Sequence, residues 1–315
     1  MVIQHVVAPP SRAGMFLVFS LQEGAETQIR QFLADAPGLV RGVSFRYPAD
    51  QLLCVLGLGA GLWDRLYAAP RPAHLHPFAA IEGERHTAVS TPGDLLVHLR
   101  ADHIDICFEM ARQVEERLRG FGQVVDEVHG FKFFDDRDLL GFVDGTENPE
   151  GAKAVAAVTV GAEDSGYAGS SYVIVQKYLH DLDGWRALST EDQERAIGRS
   201  KLEDIEMPEE RKPSNSHVAL NTITAADGTQ RQIFRENMPF GAIGTREFGT
   251  YFIGYAADPG ITEEMLRNMF LGKPAGNTDR ILDFSTPVTG SLYFVPTEAF
   301  LDDQPPGRAE DGPGH

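Results

Sequence analysis

The sequence has few cysteines and few positive charges, and each shortage excludes a class of protein. Only two cysteines occur among 315 residues, and no C-x-x-C is present. Zinc sites of that type and covalent c-type haem attachment are therefore excluded. Lys and Arg number 28 against 46 Asp and Glu, which gives a formal net charge of −18. Because an acidic surface repels phosphate groups, we expect neither nucleic acid nor a membrane surface among the partners.

Long apolar runs are also absent. None approaches the roughly 18 residues that a membrane-spanning helix needs, and the N-terminal stretch lacks the basic start and apolar core of a signal peptide. Cys54 and Cys107 lie in the apolar contexts QLLCVLGL and IDICFEMA, which favours buried free thiols over a disulfide. We therefore expect a cytoplasmic, reducing location.

Several catalytic motifs are missing. The sequence contains no H-E-x-x-H, no G-x-S-x-G and no P-loop, so it lacks the local signatures of zinc proteases, serine hydrolases and P-loop nucleotide hydrolases. The stretch GLGAGLW (57–63) resembles G-x-G-x-x-G, but Leu62 stands where the last glycine belongs. A tight turn at the end of a strand is the better interpretation of that stretch.

Apolar periodicity predicts the same order of elements in both halves of the chain. Strands are predicted at 15–21, 51–59, 94–102, 170–185, 250–258 and 289–296, and helices at 23–37, 103–120 and 261–272. Asp102 and Asp258 are each the last residue of a predicted strand that precedes a predicted helix, and they lie 156 residues apart. We therefore predict an α+β protein with domains at 1–150 and 151–300, each an antiparallel sheet covered by helices.

The buried faces of the helices follow from the same periodicity. The predicted inward residues are Ala25, Ile29, Phe32, Leu33 and Ala36 on the first helix, Ile104, Cys107, Phe108, Ala111, Val114 and Leu118 on the second, and Met265, Leu266, Met269 and Phe270 on the third. The charged stretch 186–213 is predicted to be a solvated insertion. The acidic, Pro- and Gly-rich tail 301–315 is predicted to be disordered.

The stretch GFVDGTENP (141–149) places an acid directly after apolar residues. Asp-Gly and Asn-Pro are common turn dipeptides and on their own favour a structural turn. Phe142 and Val143 should nevertheless be buried, so Asp144 is expected at the edge of an apolar region.

Two further stretches place polar side chains beside apolar ones. His217 follows a polar loop and precedes an apolar run, a position in which a lone histidine is more often structural than a ligand. In RQIFRENMPFG (231–241), strand alternation would direct Arg235 and Asn237 to the same side. A guanidinium facing an apolar cavity is costly unless an anionic group lies against it.

These stretches together resemble the dye-decolorizing peroxidase (DyP-type) family, in particular its compact bacterial branch. GFVDGTENP carries the G-x-x-D-G signature of that family. The His217 loop, the R-x-N of Arg235 and Asn237, and DRILDFSTPVTGSLYFVP (279–296) follow in the order the family shows. The similarity spans essentially the whole chain, and it implies a duplicated ferredoxin-like fold of the dimeric α+β barrel type.

The resemblance also implies a site. The family binds haem b non-covalently in its second half, with a histidine as the proximal iron ligand, which would be His217. Asp279, or alternatively Asp283, would be the carboxylate partner of that histidine. Asp144, Arg235 and Asn237 would line the distal face. There Asp144 would transfer protons, Arg235 would stabilise negative charge or hold a haem propionate, and Asn237 would orient peroxide or water.

The implied activity is reduction of hydrogen peroxide coupled to one-electron oxidation of small phenols, dyes or similar donors. Four aromatic residues are candidate electron relays, although core packing is the better interpretation for each: Trp63, Trp185, Tyr251 and Tyr255. A homo-oligomer is expected from the family. Some members carry a short encapsulin-targeting tag, which the C-terminal GRAEDGPGH does not resemble.

Two alternatives remain open at this stage. A non-catalytic or haem-processing haem protein on the same fold would keep His217 but would not need Asp144, Arg235 and Asn237 together. A cofactor-free hydrolase could use Asp144 and Glu147 as an acid–base pair. That enzyme would bind no haem, so the colour of the purified protein distinguishes it.

Overall fold

A computed structural model describes residues 3–308 of the chain. The strands are β1 (Ala13–Leu21), β2 (Leu53–Gly59), β3 (Ile81–Glu82), β4 (Thr87–Ala88), β5 (Leu95–Ala101), β6 (Gly122–Phe131), β7 (Ser171–His180), β8 (Ile223–Thr224), β9 (Gln230–Arg231), β10 (Phe234–Arg235), β11 (Met238–Ala242), β12 (Glu247–Ala256), β13 (Ser285–Pro287) and β14 (Ser291–Val295). The helices are α1 (Glu26–Ser44), α2 (Ala60–Leu66), α3 (Ile104–Leu118), α4 (Gly151–Val158), α5 (Leu182–Arg186), α6 (Thr190–Ile197), α7 (His217–Asn221), α8 (Gly260–Leu271) and α9 (Glu298–Asp302). Short 3₁₀ turns cover Pro48–Asp50, Ala162–Tyr167 and Arg280–Asp283.

The two halves have the same strand order. The N-terminal half is ordered β2-β5-β1-β6, and the C-terminal half β10-β12-β7-β14, with β11 also paired to β12. Neighbouring strands are antiparallel throughout both halves. In each half the first long strand lies between the third and the fourth, which is the ferredoxin-like arrangement. The predicted duplicated α+β fold is therefore confirmed.

The two halves join into one curled sheet. Strand β14 pairs with β2 through Tyr293 opposite Gly59 and Phe294 opposite Leu58. At the far edges of the two halves, β6 and β11 lie close together. A Cβ added to Gly130 on β6 would lie only 2.6 Å from Cβ of Met238 on β11. The inner faces of the two halves consequently pack on each other and form a barrel-like core.

The outer faces of the sheet are covered by helices, largely as predicted. All of the residues expected to face inward from α1 and α8 are buried. They are Ala25, Ile29, Phe32, Leu33 and Ala36 at the first helix and Met265, Leu266, Met269 and Phe270 on the other. Helix α1 extends beyond the predicted end at residue 37. Pro37 lacks a backbone N–H donor, but the helix continues through it to Ser44.

The predicted inward face of α3 is partly wrong. Ile104 and Phe108 are 42% and 55% exposed, whereas Ile106 and Met110 are buried beside Cys107. At about 100° per residue, Ile104 and Phe108 lie beyond one edge of the buried face. The helix is therefore rotated about its axis relative to the prediction, and two large apolar side chains face solvent.

Two strand predictions were incomplete. The prediction missed β6, because only one of its faces is buried and its apolar residues are few. The strand predicted at 170–185 ends at His180, where Asp181 caps α5 by accepting a hydrogen bond from the Gly184 amide at 2.9 Å.

The expectation that 186–213 is a solvated insertion is wrong for helix α6 and the turn after it, whereas residues 201–213 are exposed or half-buried. Helix α6 buries Gln193, Ala196 and Ile197, and Ala196 and Ile197 belong to an apolar cluster with Phe142 and Trp185. The charges that suggested solvation lie on the opposite face of a short amphipathic helix. This segment is therefore part of the structure that surrounds the site.

The disorder predicted for 301–315 is not found in residues 301–308. Helix α9 ends at Asp302, after which the Pro305 carbonyl oxygen accepts a hydrogen bond from Arg30 Nη2 at 2.8 Å. The Gln304 side-chain amide donates to the Arg30 carbonyl at 2.8 Å. The segment is held mainly by contacts with the backbone and Arg30, which composition does not reveal. Residues 309–315 lie outside the described part of the chain.

Two other sequence predictions concern the thiols and the membrane. Cys54 is half-buried and Cys107 is buried, and neither forms a disulfide in the described chain. Within residues 3–308 no helix has both the length and the apolar character needed to cross a bilayer.

Candidate active site

His217 is the first residue of the short helix α7, and the helix N-terminus fixes its position. The hydroxyl of buried Ser216 caps the helix by accepting a hydrogen bond from the Ala219 amide at 3.4 Å. Asn221, one turn later, donates its side-chain amide to the His217 carbonyl oxygen at 2.8 Å. The imidazole is 31% exposed and lines a cavity.

The orientation of this imidazole is set by Asp279. Its Oδ2 lies 2.8 Å from His217 Nδ1, while its Oδ1 accepts a hydrogen bond from the Ile281 amide at 3.0 Å. A carboxylate is an acceptor only, so Nδ1 must carry the proton. In the neutral tautomer with this proton, the lone pair of Nε2 is available to a ligand in the cavity.

The alternative partner, Asp283, does not contact His217. Its carboxylate instead pairs with Arg85 at 2.8 Å and with His86 at 3.2 Å. The two aspartates left open by the sequence are therefore distinguished by geometry, and Asp279 is the one that contacts the histidine.

Arg235 and Asn237 face the cavity as strand alternation predicts, and Glu236 points the other way. Asn237 Nδ2 donates to Asp144 Oδ1 at 3.1 Å, while its Oδ1 accepts from the Ile253 amide at 3.1 Å. The sheet thus fixes an amide that in turn orients the Asp144 carboxylate. All three predicted distal residues, Asp144, Arg235 and Asn237, lie together on one wall.

The backbone of Arg235 is held by Asn148, another residue of the GFVDGTENP stretch. The Asn148 side chain accepts a hydrogen bond from the Arg235 amide at 2.9 Å and donates one to its carbonyl at 2.7 Å. Behind the strand, buried Glu236 forms an ion pair with Arg100 of β5. The distal strand is therefore fixed on both of its sides.

The guanidinium of Arg235 is the unusual group of the site. Its Nε is buried and has no hydrogen-bond partner among the described residues. Burial lowers the pKa of Arg235, and the nearby carboxylates of Asp144 and Glu147 only partly oppose this. A buried cation without a direct partner is costly, so the arrangement suits an anionic group bound against Arg235.

His217 and the distal residues line one large cavity. Its empty volume is about 1380 Å³ including the open mouth. The cavity wall is largely apolar, with Phe142, Phe252, Met265, Leu266, Met269 and Ile281. The described residues therefore fit a large apolar cofactor that carries a nitrogen-binding metal and anionic substituents.

The polar residues of the cavity wall that were not predicted from the sequence include Asp138, His180 and Arg199. Asp138 accepts hydrogen bonds from the Gly141 and Phe142 amides, and burial raises its pKa to about 7. Arg199 pairs with Glu147 at 2.7 Å and with Asp204 at 2.8 Å. Arg199 could have been found only by recognising the amphipathic helix that precedes it.

Replacing His180 by asparagine should make the protein less sensitive to acid. Burial lowers the pKa of His180 from 6.5 to about 4, so between these pH values the unfolded chain binds a proton that the folded chain does not. The free energy of unfolding therefore decreases by about 3 kcal/mol as the pH falls from 6.5 to 4. Urea unfolding of the haem-loaded protein at pH 7.5 and 4.5 should show a smaller difference for His180→Asn than for wild type.

Exposed His129, replaced by asparagine in the same way, is the matched control. If His180→Asn and wild type lose equal stability on acidification, the titration of His180 does not contribute. Asparagine retains the capacity to bond Thr250 and Ser285, which lie 2.9 Å and 2.8 Å from the two ring nitrogens.

The candidate electron relays are all buried in the packed core. Trp63, Tyr251 and Tyr255 are fully buried and do not line the cavity. Trp185 packs behind Phe142, with ring centroids 6.2 Å apart, and donates its indole N–H to the Leu140 carbonyl. The packing role favoured from the sequence accounts for each of these positions.

Comparison with known proteins matches both halves of the chain. The family models "Dyp-type peroxidase, N-terminal" and "Dyp-type peroxidase, C-terminal" match residues 4–132 and 135–300. A dye-decolorizing peroxidase of Rhodococcus erythropolis is 58% identical over 302 residues, which cover 96% of this chain and 89% of the relative.

Solved structures of Dyp-type peroxidases show the same similarity over nearly the whole chain. The encapsulated DyP-type peroxidase of Mycobacterium smegmatis is 57% identical with a TM-score of 0.95, over 97% of this chain and 99% of that chain. An arginine-to-leucine variant of DypB from Rhodococcus jostii RHA1, in complex with heme, is 53% identical with a TM-score of 0.93, over 95% and 97%. With both halves matched at these identities, the chain belongs to the Dyp-type peroxidase family.

Proposed function

We propose that this protein is a dye-decolorizing haem peroxidase that reduces hydrogen peroxide with electrons from small phenolic, aromatic or dye-like donors. Haem b would bind non-covalently in the large cavity, with His217 Nε2 as the proximal ligand. The observation that carries the proposal is that one cavity is lined by a histidine fixed by Asp279 and by Arg235, whose buried Nε has no hydrogen-bond partner among the described residues. When bound, haem would supply the redox-active iron at which hydrogen peroxide is reduced.

Asp144 is placed to move the proton. Its Oδ1 is held by Asn237, which leaves the other oxygen to accept a proton from one peroxide oxygen and deliver it to the departing one. Asn237 is itself anchored to the Ile253 amide, so it can orient peroxide or water beside Asp144. The pair therefore supports general acid–base catalysis without a mobile side chain.

Arg235 is placed to stabilise negative charge. A fixed guanidinium in a site shielded from water stabilises charge that develops as the oxygen–oxygen bond breaks, and it needs no reorganisation. The same group could pair with a haem propionate, and its burial supports either contact. We propose charge stabilisation as its main role. The rate at which an Arg235→Leu variant reacts with hydrogen peroxide distinguishes this role from propionate binding.

Two alternatives are less well supported. A non-catalytic haem protein has no need for Asp144, Arg235 and Asn237 converging on one wall. In a hydrolase, Glu147 would be available as the second acid–base group, but its carboxylate is bound to Arg199 at 2.7 Å. The peroxidase is therefore the function that uses the observed contacts most completely.

An absorption spectrum tests the proposal most directly. Protein purified with haem should show a Soret band and should oxidise a phenolic donor only when peroxide is added. Because the chain has no C-x-x-C, acidified organic solvent should extract all of the haem. A colourless protein that cannot be reconstituted would refute the cofactor, and haem that stays on the polypeptide would refute non-covalent binding.

We also propose a cytoplasmic homo-oligomer whose two domains meet near residue 150. The two free thiols support a reducing compartment. The exposed side chains of Ile104 and Phe108 on one edge of α3 support self-association.

The relative from M. smegmatis is an encapsulated peroxidase. The prediction that this chain has no encapsulin tag concerns mainly residues 309–315, which lie outside the described chain.

A further inference from the structure

A second cavity lies behind the distal wall. Its empty volume is about 1620 Å³ including the open mouth. Asp144, Arg235 and Asn237 line both this cavity and the large one that contains His217. The two cavities therefore adjoin at these residues, which we call the strip between the cavities. We call the second cavity the outer pocket.

Rings and apolar side chains form much of the outer pocket. Phe131 and Phe133 stand edge to face, with centroids 6.4 Å apart, and Pro9 and Pro10 lie on the rim. Met238, which is 7% exposed, lies at the inner end beside the distal strand. Such walls suit a flat aromatic molecule, which can stack on rings or pack edge to face.

Most charges around the outer pocket are neutralised by one another, apart from Arg235 and Asp144, which also line the cavity that contains His217. The pairs are Lys132 with Asp136 at 2.7 Å, Arg137 with Asp135 at 3.0 Å, and Arg100 with Glu236. Glu150 adds an exposed carboxylate to the lining, and the whole chain has a net charge of −18. This electrostatic environment disfavours an anionic molecule and admits a neutral one.

We propose that the outer pocket is the binding site of the reducing substrate, and that this substrate is a neutral phenol with a single ring. The proposal rests on the proposed function, since bound haem would fill the large cavity and the donor would need a second site. Electrons from a ring in the outer pocket need to cross only the strip between the cavities. The free oxygen of Asp144 lies on that route.

The reaction balances with one peroxide and two donor molecules. Each phenol in turn loses one electron and its hydroxyl proton and leaves as a neutral aryloxyl radical. The electron crosses the strip to the haem cavity, and the proton passes through Asp144 to an oxygen derived from peroxide. In total H2O2 + 2 ArOH gives 2 H2O + 2 ArO•, so the peroxide oxygens are reduced and the two phenols are oxidised.

Filling the outer pocket tests the proposal. Ser11 lines it and is half-buried, and Ser11→Trp should obstruct it without touching Asp144, Arg235 or Asn237. We expect kcat/KM for guaiacol to fall by roughly 10-fold, and that of Phe133→Ala by roughly 5-fold through loss of an aromatic contact. Ferrocyanide, which transfers electrons without needing a ring pocket, should be oxidised at an unchanged rate.

Phe45→Ala is the matched control, because Phe45 is a phenylalanine at the C-terminal end of α1 that is 87% exposed and does not line the outer pocket. A second measurement does not depend on turnover. In the resting, haem-loaded protein, ferric iron should enhance the NMR relaxation of guaiacol ring protons in wild type and Phe45→Ala. That enhancement should be lost in Ser11→Trp.

Three results would overturn the proposal. Unchanged guaiacol kinetics and relaxation in Ser11→Trp would place the donor elsewhere. An equal slowing of guaiacol and ferrocyanide turnover, with a slower reaction with peroxide, would make the pocket only a route for peroxide. A changed sedimentation coefficient would make it an interface between copies of the chain. Failure of wild type to bind haem or react with peroxide would instead refute the proposed function.

Discussion

Replacing Arg235 by leucine is expected to slow the reaction with hydrogen peroxide by about 10²–10³-fold at every pH between about 4 and 9. The guanidinium is buried, and its Nε has no partner in residues 3–308, so it is preorganised to stabilise developing negative charge. Leucine removes the cation, and solvent cannot replace a fixed charge in a site shielded from water. Stopped-flow mixing of the haem-loaded protein with peroxide measures the rate directly.

Arg231→Leu is the matched control for this variant. Arg231 also lines the cavity, but it is already paired with Asp258 at 3.0 Å and with Glu264 at 3.8 Å. Its removal should leave the reaction with peroxide within about threefold of wild type. A near-normal rate for Arg235→Leu, together with weaker haem retention, would show that Arg235 is chiefly a propionate anchor.

The companion variant Asp144→Ala should differ in its pH dependence. A missing proton acceptor typically costs about 10²–10⁴-fold, but hydroperoxide anion needs no base and becomes more abundant as the pH rises. The defect should therefore be largest at low pH and shrink towards pH 9. Asp144→Asn, which can still bond Asn237, should behave in the same way. An equal defect at all pH values would contradict the role of Asp144 as the base.

Replacing His217 by alanine is expected to abolish stable haem binding. Among the described residues that line the cavity, His180 is the only other histidine, and both of its ring nitrogens contact hydroxyl groups. No second imidazole is therefore free to ligate the iron. Haem titration followed at the Soret band should show little or no saturable binding, whereas His103→Ala, a surface control, should bind as wild type. Full occupancy with an unchanged spectrum would exclude His217 as the ligand.

Asp279→Asn tests the same contact without removing the ligand. Both oxygens of Asp279 act as acceptors, one for the Ile281 amide and one for His217 Nδ1. An asparagine has only one acceptor oxygen, so it cannot serve both donors. Loss of such a partner typically costs about 10–100-fold in metal affinity or activity. Haem affinity equal to that of wild type would show that the carboxylate does not orient the ligand.

The sequence could predict the parts of this site that depend on local geometry. Arg235 and Asn237 are two residues apart, and strand alternation alone places both on the cavity side. The acid in GFVDGTENP and the histidine after the polar loop could be recognised because four motifs follow in the order of a known family. These positions required no knowledge of how distant segments meet.

Contacts between distant segments could not be predicted. Asp279 and Asp283 are equally plausible partners by spacing, and only the turn that directs Asp279 Oδ2 to His217 distinguishes them. Asp138 and His180 owe their shifted pKa values to burial, which has no local signature. Ile104 and Phe108 fit an apolar face by periodicity, but the packing of α3 on the sheet decides which face is buried.

The buried pair of Arg100 and Glu236 has a consequence for how the duplicated halves can evolve. Most residues that line the large cavity come from the second copy of the repeat, and the others, from Asp138 to Glu147, lie just before the domain boundary near residue 150. The other copy supplies Arg100, which supports the strand carrying Arg235 and Asn237 from behind. A chimaera that combines halves from two relatives therefore inherits a working distal strand only if this arginine and this glutamate are exchanged together.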